Sequence, residues 1–117
     1  MDDLLFHLAL DRDWSAGAAG DYTVSTLGVS LEEQGFIHCS FAHQVQRIAD
    51  LVYRGREDVV LLEIDLQRVT SPVQVDAADD GDSFPHIYGP LNRDAVVRVT
   101  PVPARVDGRL DLSAAGL

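Results

Sequence analysis

The chain has no lysine, and all nine of its basic residues are arginines. That absence excludes Schiff-base chemistry and a Walker-type phosphate loop, both of which need an ε-amino group. The single cysteine, Cys39, can form neither an internal disulfide nor a thiolate zinc cage, so packing must hold the fold together. A lone thiol also suits a reducing compartment. Cations are few beside 19 acidic residues, which leaves a formal net charge of −10. Sustained binding to nucleic acid or to an anionic membrane needs clustered cations, so neither is expected as a partner. Long apolar runs are missing too: Leu4 to Leu10 and Val59 to Ile64 are broken by His7 and Glu63 and are too short to span a bilayer. Met1-Asp2-Asp3 is acidic where a secretory signal carries positive charge. A cytoplasmic protein acting on a small-molecule ligand is expected, with its oligomeric state open.

What the chain does have is 117 residues with 46% hydrophobic content, enough for one compact domain with a real core. The expected division is a single α+β domain over residues 1–101, with a hairpin and tail over 102–117 packed on it or frayed from it. Three of the four histidines sit in short apolar runs, Phe6-His7-Leu8-Ala9, Phe36-Ile37-His38-Cys39-Ser40 and Phe84-Pro85-His86-Ile87-Tyr88. An imidazole inside a strand needs partners or water for two nitrogens once its neighbours are buried. Three such placements point to a shared cleft. His43 falls in a helical pattern and is expected at the surface.

Leu4 to Leu10 reads as a buried, central strand with His7 on the face of Leu5 and Ala9. Asp11 can cap a helix running to Ala19 that Gly20 stops, with Trp14 and Ala18 on one side. Tyr22 to Leu27 is a connection without a defined shape. Ser30-Leu31-Glu32-Glu33 has the form of a capping box, and Gly35 ends that helical turn. In Phe36 to Ser40, period-2 geometry puts His38 and Ser40 on one face and Ile37 and Cys39 on the other. Ser40 is also placed to cap a helix from Phe41 to about Tyr53, with Val45, Ile48, Ala49 and Val52 as its apolar stripe. Val59 to Leu66 is a strong strand with Leu61, Glu63 and Asp65 on one face. Pro72 to Val75 fits an edge strand, and Asp79-Asp80-Gly81-Asp82 an exposed turn between packed regions. Phe84 to Gly89 reads as short and irregular, Leu91 to Asp94 as one turn, and Ala95 to Thr100 as a strand. Asp107-Gly108 is a hairpin signal, and the chain after Leu112 is expected to fray.

Each candidate residue has a plain alternative. His7 can be a core histidine satisfied by a backbone carbonyl. Ser40 can line a cavity or only cap a helix. His86 and Tyr88 share a side if the segment is extended, and can bind a ligand or merely anchor a loop. Glu63 can reach the cleft or lie on the solvent face of an edge strand. Asp76, Asp79, Asp80 and Asp82 lack the distal glutamate and spacing of an EF-hand. A three-histidine zinc site from His7, His38 and His86 satisfies the ligand count, but not a known metal-binding spacing. Cys39 faces away from His38 and reads as packing.

His7-Leu8-Ala9, Trp14, Glu33-Gln34-Gly35-Phe36-Ile37-His38-Cys39-Ser40, Leu61-Leu62-Glu63-Ile64-Asp65 and Phe84-Pro85-His86-Ile87-Tyr88-Gly89-Pro90-Leu91 together resemble the bacterial domain-of-unknown-function family 952. The likeness covers about residues 4 to 101. A more distant resemblance, carried by His7 and His38 with their flanking pattern, is to the tRNA 2'-phosphotransferases of the ADP-ribosyltransferase superfamily. It implies a split, mostly antiparallel sheet of five to seven strands with two or three helices, and NAD bound in a cleft. By that likeness His7 contacts a ribose hydroxyl, and His38 and Ser40 line the same pocket. The resemblance gives no counterpart for Glu63, His86 or Tyr88; a carboxylate such as Glu63 could stabilise the oxocarbenium ion left by nicotinamide. The expected catalytic set is then His7, His38 and Glu63, with Ser40, His86 and Tyr88 binding ligand. The expected function is an NAD-dependent transferase or glycohydrolase-like enzyme. Its alternatives are a non-catalytic nucleotide or small-ligand module and a His-ligated metal hydrolase.

Overall fold

A computed structural model of the chain describes residues 4–16 and 20–117. Its centre is the antiparallel sheet β1–β5–β8, formed by β1 (Leu4–Leu10), β5 (Val59–Asp65) and β8 (Val96–Val102). Both faces of β5 are apolar at nearly every position, which suits the middle strand of a sheet covered on both sides. Val60, Leu62 and Ile64 pack with Leu5, Ala9, Ile37 and Ile87 on one side, and Leu61 and Val59 pack with Phe6, Leu8 and Val45 on the other.

A second sheet runs in the order β4–β7–β6, from β4 (Ile37–His38), β7 (Ser83–Ile87) and β6 (Val73–Ala77). A third is the hairpin of β2 (Val24–Thr26) and β3 (Val29–Ser30). The described residues thus hold eight strands in three small sheets, more than the five to seven expected. The strands not read as such are β2, β3 and β7, whereas the expected hairpin about Asp107-Gly108 forms only the isolated bridge Ala104–Leu110. Phe84 to Gly89, read as irregular, is instead largely β7, with Pro85 opposite Val75 and its carbonyl accepting from the Cys39 N–H. The acidic turn joins β6 to β7 as a hairpin, with Ala77 opposite Ser83, and does not separate two packed regions.

Three α-helices complete the α+β fold: α1 (Asp11–Ser15), α2 (Leu31–Gln34) and α3 (Val45–Val52). The capping box forms as read: Ser30 accepts from the Glu33 N–H and Glu33 accepts from the Ser30 N–H. Gly35 then ends α2 at φ 94°, a left-handed conformation that glycine adopts without strain. Two helix expectations need correction. Asp11 lies inside α1 with Leu10 in the cap position, and residues 17–19 of the expected longer helix lie outside the described residues. Ser40 caps nothing: its backbone pairs with Phe6, and the turn into α3 starts at Phe41, whose N–H is taken by the Gln44 side chain. The chain after Leu112 forms a 3-10 turn over Ser113–Ala115. Leu110 and Leu112 are buried, and Ala115 packs on the same cluster.

Candidate functional site

His38 and His86 are opposite residues in the β4–β7 ladder, so their side chains leave the sheet on the same face. Their rings lie 5.4 Å apart. Phe36, two residues before His38, stacks flat on His86 at 3.9 Å. The two-residue period that points Ile37 and Cys39 into the core puts this aromatic and imidazole row on the outer face. Between that row, the β2–β3 hairpin and α3 lies a cleft of about 260 Å³ lined by Ser25, Thr26, Gln34, Phe36, His38, Ile48 and Val52. None of these side chains carries a formal charge once His38 is neutral. Burial, helped by repulsion from the neighbouring His86, pushes the His38 imidazole down to about 4, so it is uncharged at neutral pH. Among the described residues no group hydrogen-bonds its ring.

Ser25 carries a second unmet demand in the same cleft. The β2–β3 register slips between Val24 and Thr26, which makes Ser25 the extra residue of a bulge that turns its side chain inward. Its hydroxyl is buried and has no hydrogen-bond partner among the described residues. An orphaned buried hydroxyl costs about 1–3 kcal/mol, so the hairpin keeps it at the expense of stability.

His7 does not open into this cleft. Its Nδ1 lies 2.6 Å from the His38 carbonyl and its Nε2 lies 3.0 Å from the Tyr22 hydroxyl. A carbonyl only accepts, so Nδ1 carries the proton, and Nε2 of the neutral ring accepts from Tyr22. Burial pushes this imidazole down to about 4 and pushes the Tyr22 phenol up, which keeps both neutral. Both nitrogens of His7 are therefore committed to the protein, and the ring acts as a strut that fixes the backbone of His38. His7 thus lies beside His38 and Ser40, as expected, but with no ring nitrogen left free for a ligand. A three-histidine metal site fails for the same reason, and no group of three His, Cys, Asp or Glu among the described residues could hold a metal ion.

Glu63 does not line the cleft. It pairs across the sheet with Phe6, whereas His7 pairs with Leu62, so Glu63 and His7 point to opposite faces. Nor does it lie on an edge, since β5 is the middle strand. Its Oε2 sits 3.5 Å from Arg98 Nε, an ion-pair distance without hydrogen-bond geometry. Ser40 lines, with His7, Thr26, His38 and Tyr53, a small pocket of about 10 Å³, roughly the space of one water, that shares Thr26, His38 and Ile48 with the cleft.

His86 and Tyr88 meet at a residue that reading the sequence did not single out for the site. Asp76 on β6 accepts from His86 Nδ1–H at 2.7 Å, from Gln74 at 2.6 Å and from the Tyr88 hydroxyl. The Tyr88 hydroxyl, then Gln74 and His86, hold the Asp76 carboxyl below the usual carboxylate range. Phe36, Ile48, Val52 and Ser25 were missed as cleft residues as well. A usable signal existed only for Asp76: a hairpin closed at Asp79-Asp80-Gly81-Asp82 sets Asp76 opposite Phe84, beside His86. His43 is exposed, as expected. Cys39 is buried, and burial pushes its thiol up, which fits a packing role.

No helix among the described residues is long and apolar enough to cross a membrane. The fold is similar to that of protein CC0527 from Caulobacter crescentus. A crystal structure of that protein aligns with a TM-score of 0.83 and 28% identity over 96% of each chain. A double-methionine variant gives the same values, and the solution structure aligns at 0.79, again 28% identical, over 97% of this chain and 96% of that one. No curated protein matches. The model of the family described as "Protein of unknown function (DUF952)" matches residues 9–99, from the end of β1 into β8, and this chain belongs to that family.

Proposed function

We propose that the chain is a small-ligand binding domain whose cleft at His38 takes one planar, uncharged ring. The observation that carries this reading is the pairing of two unmet polar groups, the neutral His38 imidazole and the Ser25 hydroxyl, in a cleft otherwise walled by Phe36, Ile48 and Val52. Apolar walls with a few convergent polar groups are the usual composition of a ligand site. The volume of about 260 Å³ suits a single ring with substituents, just below the roughly 300–1,000 Å³ typical of such sites. NAD is the candidate that the distant resemblance to ADP-ribosyltransferases implies; free nicotinamide is the neutral ring derived from it, and the phosphates of the whole dinucleotide would lie outside the uncharged cleft.

A binding module is favoured over a transferase because the expected carboxylate, Glu63, does not line the cleft and His7 has no free nitrogen. Calorimetric titration of NAD and of nicotinamide into wild-type and His38→Ala protein tests the reading. Binding that the substitution abolishes is expected. Binding that survives His38→Ala would contradict it, and no heat with either compound would remove NAD and its ring as the ligand.

A further inference from the structure

We propose that His86 is a general base at the rim of this cleft, set to activate water against a small neutral ester seated on His38. The inference rests on the cleft reading and adds a chemical step to it. The carboxylate of Asp76 can only accept, so Nδ1 of His86 carries the proton that the 2.7 Å contact requires. The neutral ring then has Nε2 as its acceptor, turned away from Asp76 by the geometry of a five-membered ring. No group among the described residues bonds that nitrogen. Phe36 stacked on one face fixes the ring plane, and Tyr88 and Gln74 fix the carboxylate. A base oriented by a third group is the arrangement that nucleophile activation needs.

The placement of the neighbours suits the step. Phe36 and His38 line the cleft and both touch His86, so a ligand resting on His38 lies within about one water of the His86 ring. The His86 side chain keeps 11% of its surface exposed, so solvent reaches it. In the step, Nε2 takes a proton from water as the water oxygen bonds to the ester carbonyl carbon. The tetrahedral oxyanion meets an N–H of the neutral His38 ring, which gains a charge-assisted hydrogen bond only as that charge develops. The carbon–oxygen bond to the leaving group then breaks, and the alkoxide or phenoxide takes the proton back from His86. Acid and alcohol leave, and both imidazoles return to their starting state. His86 and His38 are the catalytic residues of this scheme, and Asp76 is a positioning residue.

The probe is 4-nitrophenyl acetate, a neutral aryl ester with one ring for the cleft. The wild-type protein is expected to hydrolyse it with saturation kinetics, at a rate at least about 100-fold above an equimolar mixture of free imidazole. His86→Gln should return the rate to that background. Asp76→Asn should lower kcat by 10-fold or more with KM unchanged, and Asp76→Glu should restore part of it. Circular dichroism melts identify any variant that fails to fold, and the tautomer of His86 read by imidazole ¹⁵N shifts in the wild-type protein stands independently of every variant. A wild-type rate equal to free imidazole, equal rates in wild type and folded His86→Gln, or an Nε2-protonated neutral His86 would each overturn the proposal. Ring binding that depends on His38 without hydrolysis would sink this step and leave the binding reading standing.

Discussion

Acidification should unfold this protein through His7 before its carboxylates are touched. In the fold His7 is neutral with an imidazole at about 4, against an ordinary value of 6.5. The unfolded chain therefore binds more protons between those values, so the His7 contribution is fully present at neutral pH. It is lost progressively as pH falls from about 6.5 to about 4 and is constant below that. Linkage gives a loss of about 2 kcal/mol between pH 7 and pH 5, rising to about 3 kcal/mol once the folded value is passed. The carboxylates act in a different window: Asp76, Asp80 and Asp111 are held down, so their contributions disappear only as pH falls below about 3.8. Urea melts at pH 7, 6, 5 and 4.5, fitted for stability in water, measure the loss. His38, also pushed down to about 4 but less enclosed, adds to it with the same sign. The His7→Gln variant, weaker at pH 7, should lose about 2 kcal/mol less than wild type over the same range. A wild-type stability that stays flat from pH 7 to pH 5, or a His7 ring that titrates near 6.5 by NMR, would refute the strut assignment.

Other outcomes follow from single contacts. Ser30→Ala breaks the capping box of α2 and should cost about 1 kcal/mol in a chemical melt. Leu61→Ala, at a fully buried position in the central strand, should cost about 2–5 kcal/mol. Gly89→Ala should lower the melting temperature, because the new Cβ would lie 2.5 Å from the Ser71 hydroxyl at a backbone angle of φ +154°. Cys39 should react with a disulfide reagent at native conditions only at the rate of unfolding, and immediate labelling would contradict its burial.

The sequence made legible those features that depend on local chemistry. The β1 and β5 strands, the Ser30–Glu33 box, the Gly35 stop and the opposed faces of His38 and Cys39 all follow from period, capping and glycine geometry, although β5 and not β1 is the central strand of the sheet. Period-2 alternation was enough to place His38 correctly, because its face is set within one strand. Which face of one sheet meets which face of another is not written in any local pattern. For that reason the hold on His7 by a carbonyl of β4 and the Tyr22 hydroxyl was not legible in the sequence. Glu63 failed similarly: alternation put it on the Leu61 face as read, but only the sheet order shows that this face is turned away from His7. The Ser25 bulge and the α3 wall of the cleft depend on register and docking, which a single sequence does not encode in recognisable motifs.

The claim that His38, and not His7, faces the ligand can be tested in one experiment. Histidine-labelled protein is titrated with NAD and with nicotinamide while the imidazole ¹⁵N signals of His7, His38 and His86 are followed. Movement of His38 with His7 unmoved is the predicted result. Movement of His7 with His38 unmoved, or no change in His38 with either compound, would contradict it.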